Sequence, residues 1–90
     1  REQAGHRPAF VVSPKSYNGK VGLALLCPIT SKEKGYPFEV PIEGKSIQGV
    51  ILSDQVKSLD WKAREARLED KAGRVITDEV IAKIETLIRN

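Results

Sequence analysis

The sequence predicts a mostly β domain, a small curled antiparallel sheet or barrel capped by one C-terminal helix. Three observations carry this. Short apolar runs of β-type residues are separated by Gly, Pro and Asn clusters, which punctuate strands. Helical periodicity is clearest in the last stretch of the chain. Ninety residues at 40% hydrophobic and 30% charged composition supply one thin core, so residues 1–90 read as a single domain without internal repeat or linker.

The elements follow in order. AFVVS (9–13) is a first short strand, closed by Pro14. Asn18-Gly19 within SYNGK is a favoured hairpin dipeptide, because both residues tolerate positive φ, and it predicts a tight turn. VGLALLCPI (21–29) is then the returning strand, its unbroken apolar character suited to burial on both faces or a central place. TSKEKGYP reads as a loop. In FEVPI, Phe38, Val40 and Ile42 share one face, with Glu39 and Pro41 on the other; Pro41 has no amide to donate and predicts an edge strand or a bulge.

GKSIQG is a turn, and GVILSDQVKSL (49–59) one strand that begins apolar and ends polar. DWKAR reads as a helical turn and EARLEDKAGRV (65–75) as a strand or short helix ending at Gly73. Thr77 is the expected N-cap of the final helix, with Asp78 and Glu79 against its positive end. Val80, Ile81, Ile84, Leu87 and Ile88 recur at helical spacing, while Glu79–Lys83 and Glu85–Arg89 form i, i+4 pairs on the wet side.

Composition narrows the chemistry. Cys27 is the single cysteine and His6 the single histidine, so no internal disulfide forms, and neither a dedicated metal site nor a cofactor is expected. Cys27 lies inside an apolar run and reads as core. The chain opens without a basic-then-apolar signal segment, and its cysteine usage suits the cytoplasm. A thin core favours a homodimer. The net charge of +3 is compatible with a phosphate-bearing partner.

Three polar groups are candidates for function. The first is the opening loop, EQAGHRPA. Arg7 offers a planar, permanently charged fork suited to phosphate, and Pro8 restricts the backbone before it. His6 titrates near neutrality and Glu2 accepts a proton. On spacing alone this loop reads first as a solvated joint with incidental charges. The second group is Thr30, Ser31, Lys32, Lys34, Tyr36 and Phe38, in which hydroxyls and ammoniums suit phosphate oxygens and Tyr36 suits stacking on an unpaired base; Phe38 reads rather as core. The third is Asp54, Gln55 and Lys57, which suit base edges, a strand end or an interface equally. Trp61 reads as packing or subunit contact.

The order EQAGHRPA, a strand ending CPIT, KGYPFEV, GV-x-L-x-DQVKS and a terminal helix closely resembles the MazF/PemK family of toxin endoribonucleases, over nearly the whole length. The resemblance implies a PemK-like barrel related to SH3 barrels, a homodimer, and metal-independent, sequence-selective cleavage of single-stranded RNA. In that reaction the 2′-hydroxyl attacks its own chain and leaves a 2′,3′-cyclic phosphate and a 5′-hydroxyl. Arg7 and Thr30 match the family's central catalytic pair. Glu2 and His6 are further candidates for proton transfer, and Ser31, Lys34, Tyr36, Asp54, Gln55 and Lys57 fall near the RNA groove. The implied partner is an antitoxin whose acidic, flexible tail fills that groove; no membrane is involved. Members of the family begin with a strand before the EQAGHRP block, which this sequence, opening at Arg1 and holding no methionine, lacks. The rival expectation is a noncatalytic toxin on the same barrel, such as a gyrase poison, which has no need of Arg7 and Thr30 together.

Overall fold

The computed structural model describes residues 7–43, 47–64 and 72–89. The expected curled antiparallel sheet with a C-terminal helix is what forms. Its strands are β1 (Ala9–Val11), β2 (Leu23–Thr30), β3 (Glu39–Glu43), β4 (Gln48–Leu52) and β5 (Lys57–Asp60), with helices α1 (Lys15–Val21) and α2 (Arg74–Ile88). The order is β1-β2-β4-β3, and β5 also pairs with β2.

β2 is the spine. One edge carries β1, in the register Ala9↔Pro28, Phe10↔Cys27 and Val11↔Leu26. Its other edge carries β5 against Leu23 to Leu26 and then β4 against Ile29 and Thr30. The stretch predicted as one strand over 49–59 therefore does run in one direction along β2, but it is interrupted by a 3-10 turn at Ser53–Gln55. Between the pairs Ile29↔Ile51 and Leu26↔Lys57, two residues of β2 face five on the other side. Such an excess works as a large bulge, bending the sheet and swinging β4 and β3 round into the curl. Ser53 fixes the break: it is fully buried, and both its amide and its hydroxyl donate to the Phe38 carbonyl. Pro41 sits on β3, an edge strand, where a missing amide hydrogen costs little.

The strands 9–13 and 21–29 pair as expected, but through different chemistry. Residues 15–21 are helical, so Asn18-Gly19 makes no hairpin turn. Asn18 is committed elsewhere: its side chain accepts from the Ser13 hydroxyl and donates to the Ser13 carbonyl, and its own carbonyl accepts from Gly22 and from the Trp61 indole. Gly22, at φ 81°, supplies the left-handed C-cap that ends this short helix. Trp61 is thus a packing residue that ties the turn after β5 to α1. The stretch 65–71, read as a strand or short helix, lies outside the described residues.

Phe10, Cys27, Val40, Ile51 and Val80 form the core, with Ile76 and Ile84 of α2 packed against it. The i, i+4, i+8 spacing of Ile76, Val80 and Ile84 makes the inner stripe of the helix. Burying Val80 completely is worth roughly 1.5–3 kcal/mol. Ile81, Leu87 and Ile88, predicted for that stripe, are exposed. The N-cap is Gly73 rather than Thr77, whose hydroxyl donates back to the Gly73 carbonyl from inside the helix. Starting the helix earlier brings Ile76 onto the core. Among the described residues, no helix is long and apolar enough to cross a membrane.

Candidate active site

Two cavities meet at the C-terminal end of β2. The first, about 450 Å³, is lined by Arg7, Pro8, Ile29, Thr30, Ser31, Lys32 and Gln48. The second, about 250 Å³, is lined by Thr30, Lys32, Lys34, Tyr36, Glu39, Leu52 and Gln55. Thr30 and Lys32 belong to both.

Backbone register brings Arg7 and Thr30 together. Ala9 faces Pro28, and the Ile29 amide donates to the Pro8 carbonyl at 3.3 Å, so the β1·β2 ladder continues past the strand's end. Extending that register by two residues sets Arg7 across from Thr30. On its other side Thr30 pairs with Val50, and the neighbouring Gly49 approaches so closely that a Cβ there would lie 2.4 Å from the Thr30 carbonyl oxygen. Gly49 also has φ +144°, which side-chain-bearing residues rarely adopt. Glycine at this position is what lets β4 fix the Thr30 backbone.

The Thr30 hydroxyl accepts a hydrogen bond from the Lys32 amide at 3.1 Å. A hydroxyl has one proton and two lone pairs; with one lone pair used here, its proton is left to donate outward to an anion. Lys32 and Lys34 add exposed ammoniums, and Ser31 a second hydroxyl. This is an anion-binding constellation: a guanidinium and a hydroxyl from separate segments converge on one cleft, with lysines at its wall.

The second cavity is built around Tyr36. Its hydroxyl donates to Asp54 at 2.7 Å, which makes deprotonation harder and raises the phenol above its ordinary range. Phe38 packs edge-on against the same ring, with centroids 6.3 Å apart. Asp54 therefore works through Tyr36, while Gln55 lines the cavity itself. Lys57 is exposed on β5, paired with Leu26, and lines neither cavity. Glu2 and His6 lie outside the described residues.

Sequence reasoning missed Gln48 and Glu39. Gln48 was hidden in a stretch read as a turn. Glu39 was assigned to a polar strand face, yet it is only 8% exposed, and its two carboxylate oxygens accept from the Lys34 and Gly35 amides at 3.0 and 2.9 Å. A lone glutamate beginning a strand after a Gly-Pro loop was the available signal. Cys27 is fully buried beneath the site; desolvation, helped by the negative charge of Asp54, pushes its thiol up to about 11, so it is a neutral core residue rather than a nucleophile.

The chain is similar to known toxins in sequence and fold. The endoribonuclease toxin MazF of Escherichia coli (strain K12) is 52% identical over 90 residues, spanning 97% of this chain and 78% of that protein. The endoribonuclease PemK of Escherichia coli is 30% identical over 92 residues, spanning 97% and 69%. The crystal structure of MazE-MazF (Form-I) from Deinococcus radiodurans superposes with a TM-score of 0.90 at 44% identity, covering 96% of this chain and 85% of that one. The Mycobacterium tuberculosis toxin MazF-mt6 shares the fold at 16% identity, with a TM-score of 0.76 over 91% and 85% of the two chains. The family described as PemK-like, MazF-like toxin of type II toxin-antitoxin system matches residues 1–90. A curled sheet whose register sets Arg7 beside Thr30, in a chain matched from end to end, thus belongs to the PemK-like, MazF-like family of type II toxins.

Proposed function

We propose that this protein is the toxin of a type II pair and a metal-independent, sequence-selective endoribonuclease that cleaves single-stranded RNA at the cleft between Arg7 and Thr30. The ribose 2′-oxygen attacks the adjacent phosphorus, the bond from phosphorus to the 5′-oxygen breaks, and the products are a 2′,3′-cyclic phosphate and a 5′-hydroxyl. The proton lost by the 2′-oxygen goes to a base, and an acid returns one to the departing 5′-oxygen. Charge builds on the nonbridging oxygens of the phosphorane. The Arg7 fork and the Thr30 hydroxyl are the groups that relieve it. Glu2 and His6 are the chemically suited proton carriers, because a guanidinium holds its proton far above working pH. Ser31 and Lys34 hold flanking phosphates, and Tyr36, held by Asp54, and Gln55 supply the surface along which neighbouring nucleotides lie, while Lys57 stands apart from both cavities.

The single observation that carries this reading is the cleft that Arg7 and Thr30 share. The antitoxin is the expected competitor for the groove. The relative from Deinococcus radiodurans is seen as a MazE-MazF complex, and an acidic, flexible tail suits a chain of net charge +3. A homodimer in the cytoplasm completes the reading.

The test is an end-labelled RNA of mixed sequence incubated with the protein in excess chelator, beside Arg7→Ala. The expected result is cleavage at a recurrent short site with a cyclic-phosphate end, and a loss of about a thousandfold or more in the variant. Intact RNA in the presence of the antitoxin-free wild type overturns the reading. If His6→Ala and Glu2→Gln keep the wild-type rate while Arg7→Ala abolishes it, neither Glu2 nor His6 is the base.

A further inference from the structure

The loop that carries Lys34 and Tyr36 has neither helix nor strand to shape it, yet it is pinned at every step. Gly35, at φ 79°, turns the chain so that two consecutive amides, those of Lys34 and Gly35, point the same way. Paired amides of this kind make a concave anion site. Here the anion is the protein's own Glu39 carboxylate, one oxygen on each amide. The three carbonyls that follow are also taken. Tyr36 O accepts from the Glu39 amide at 3.1 Å, Pro37 O from the Lys83 ammonium at 2.6 Å, and Phe38 O from the Ser53 amide at 3.0 Å. Lys83 comes from α2, 46 positions away in sequence. It was read from the sequence as the i+4 partner of Glu79; in the structure it braces this loop.

We infer that Glu39, assisted by Lys83, is a positioning residue for RNA binding: together they hold the Lys34–Phe38 loop as the rigid wall of the second cavity, so that Lys34 and Tyr36 meet the nucleotides beside the cleaved bond in one fixed geometry. This inference rests on the RNA-cleaving reading above. It assigns a role in binding to a buried glutamate and a helix lysine, neither of which acts on the reacting phosphorus. Charge-assisted bonds to a buried carboxylate are among the stronger ones, and an amide side chain keeps only one acceptor while setting its NH₂ group against a backbone donor.

The experiment uses Glu39→Gln and Lys83→Met. The second variant removes only the half-exposed ammonium of a residue inside α2 and keeps the fold if the first does not. Affinity is measured by fluorescence anisotropy with a mixed-sequence single strand lacking 2′-hydroxyls, and cleavage kinetics are measured on RNA. The expected result is a Kd raised about tenfold in Glu39→Gln and about threefold in Lys83→Met, with KM rising in parallel and kcat per folded molecule unchanged. Amide exchange at Lys34 and Gly35 accelerates in Glu39→Gln. Wild-type Kd in both variants overturns the inference, as does a lower kcat per folded molecule at unchanged KM, which marks a contact made only in the transition state. A wild type that binds the strand without cleaving RNA sinks the reaction alone, since the Kd comparison still decides the brace.

Discussion

The two cavities that meet at Thr30 are built by opposite means. The one holding Arg7 is set by backbone register: the β1·β2 ladder and the β2·β4 pair fix where residues 7 and 30 stand, with Gly49 admitting the close approach. The one holding Tyr36 is set by side chains, in which Glu39, Ser53, Asp54 and Lys83 pin an irregular loop from three separate places in the sequence. The difference teaches that, on the proposed function, chemistry and recognition have separate supports. A ladder resists displacement as a unit; a pinned loop is tunable one bond at a time.

Gly49→Ala attacks the ladder side and is expected to have the largest effect. A Cβ pressed against the Thr30 carbonyl, on a backbone only glycine adopts comfortably, should cost about 3 kcal/mol. In a domain of this size that lowers the melting temperature by roughly 12–24 °C. An unchanged melting temperature and cleavage rate would mean that β4 does not fix Thr30. Thr30→Val comes next. It keeps the shape but removes the donor from the residue both cavities share, so kcat should fall about a hundredfold with little change in melting temperature. If KM rises instead and kcat holds, Thr30 belongs to recognition and the division between the two cavities fails.

The smallest effect is a pH dependence that links the two sides through Cys27. Its folded-state pKa of about 11 lies above the 9.0 of the unfolded thiol, so the folded protein holds the proton more tightly. Its contribution to stability is complete below pH 9 and is lost as pH rises from 9 to 11. At pH 10 the loss is about 1.4 kcal/mol, measured by urea denaturation as the difference in alkaline slope between wild type and Cys27→Ala. Asp54→Asn should shrink that slope, since the carboxylate is the lesser of the two causes of the shift. Equal slopes in wild type and Cys27→Ala would remove Cys27 as the titrating group.

The ladder side was legible in the sequence and the pinned side was not. AFVVS and VGLALLCPI carry β-type patterning, and their pairing survives even though Asn18-Gly19 is helical, because the apolar faces rather than the turn determine register. Asn18 misled because its side chain had a better partner in Ser13, which no dipeptide preference records. Thr77 misled in the same way: its hydroxyl found a carbonyl inside a helix that starts earlier to seat Ile76. Ser53 broke the predicted strand by bonding Phe38, and Glu39 looked like a wet strand residue until its two amide partners were seen. All of these are polar side chains meeting main-chain groups that spacing alone does not reveal. Arg7, Thr30, Ser31, Lys34, Tyr36 and Gln55 do line the cavities, but they were singled out as one site through the family resemblance rather than through spacing, on which the opening loop read as a solvated joint.

The bond from Lys83 to Pro37 also has a consequence for how the protein is made. Synthesis proceeds from the N-terminus, so β1 to β5 leave the ribosome before the helix that supplies both Val80 to the core and Lys83 to the loop. Until that helix docks, the sheet lacks its apolar lid and the Tyr36 loop its outer anchor. A nascent chain of this toxin therefore has neither a closed core nor a fully braced Tyr36 loop until α2 has emerged and docked.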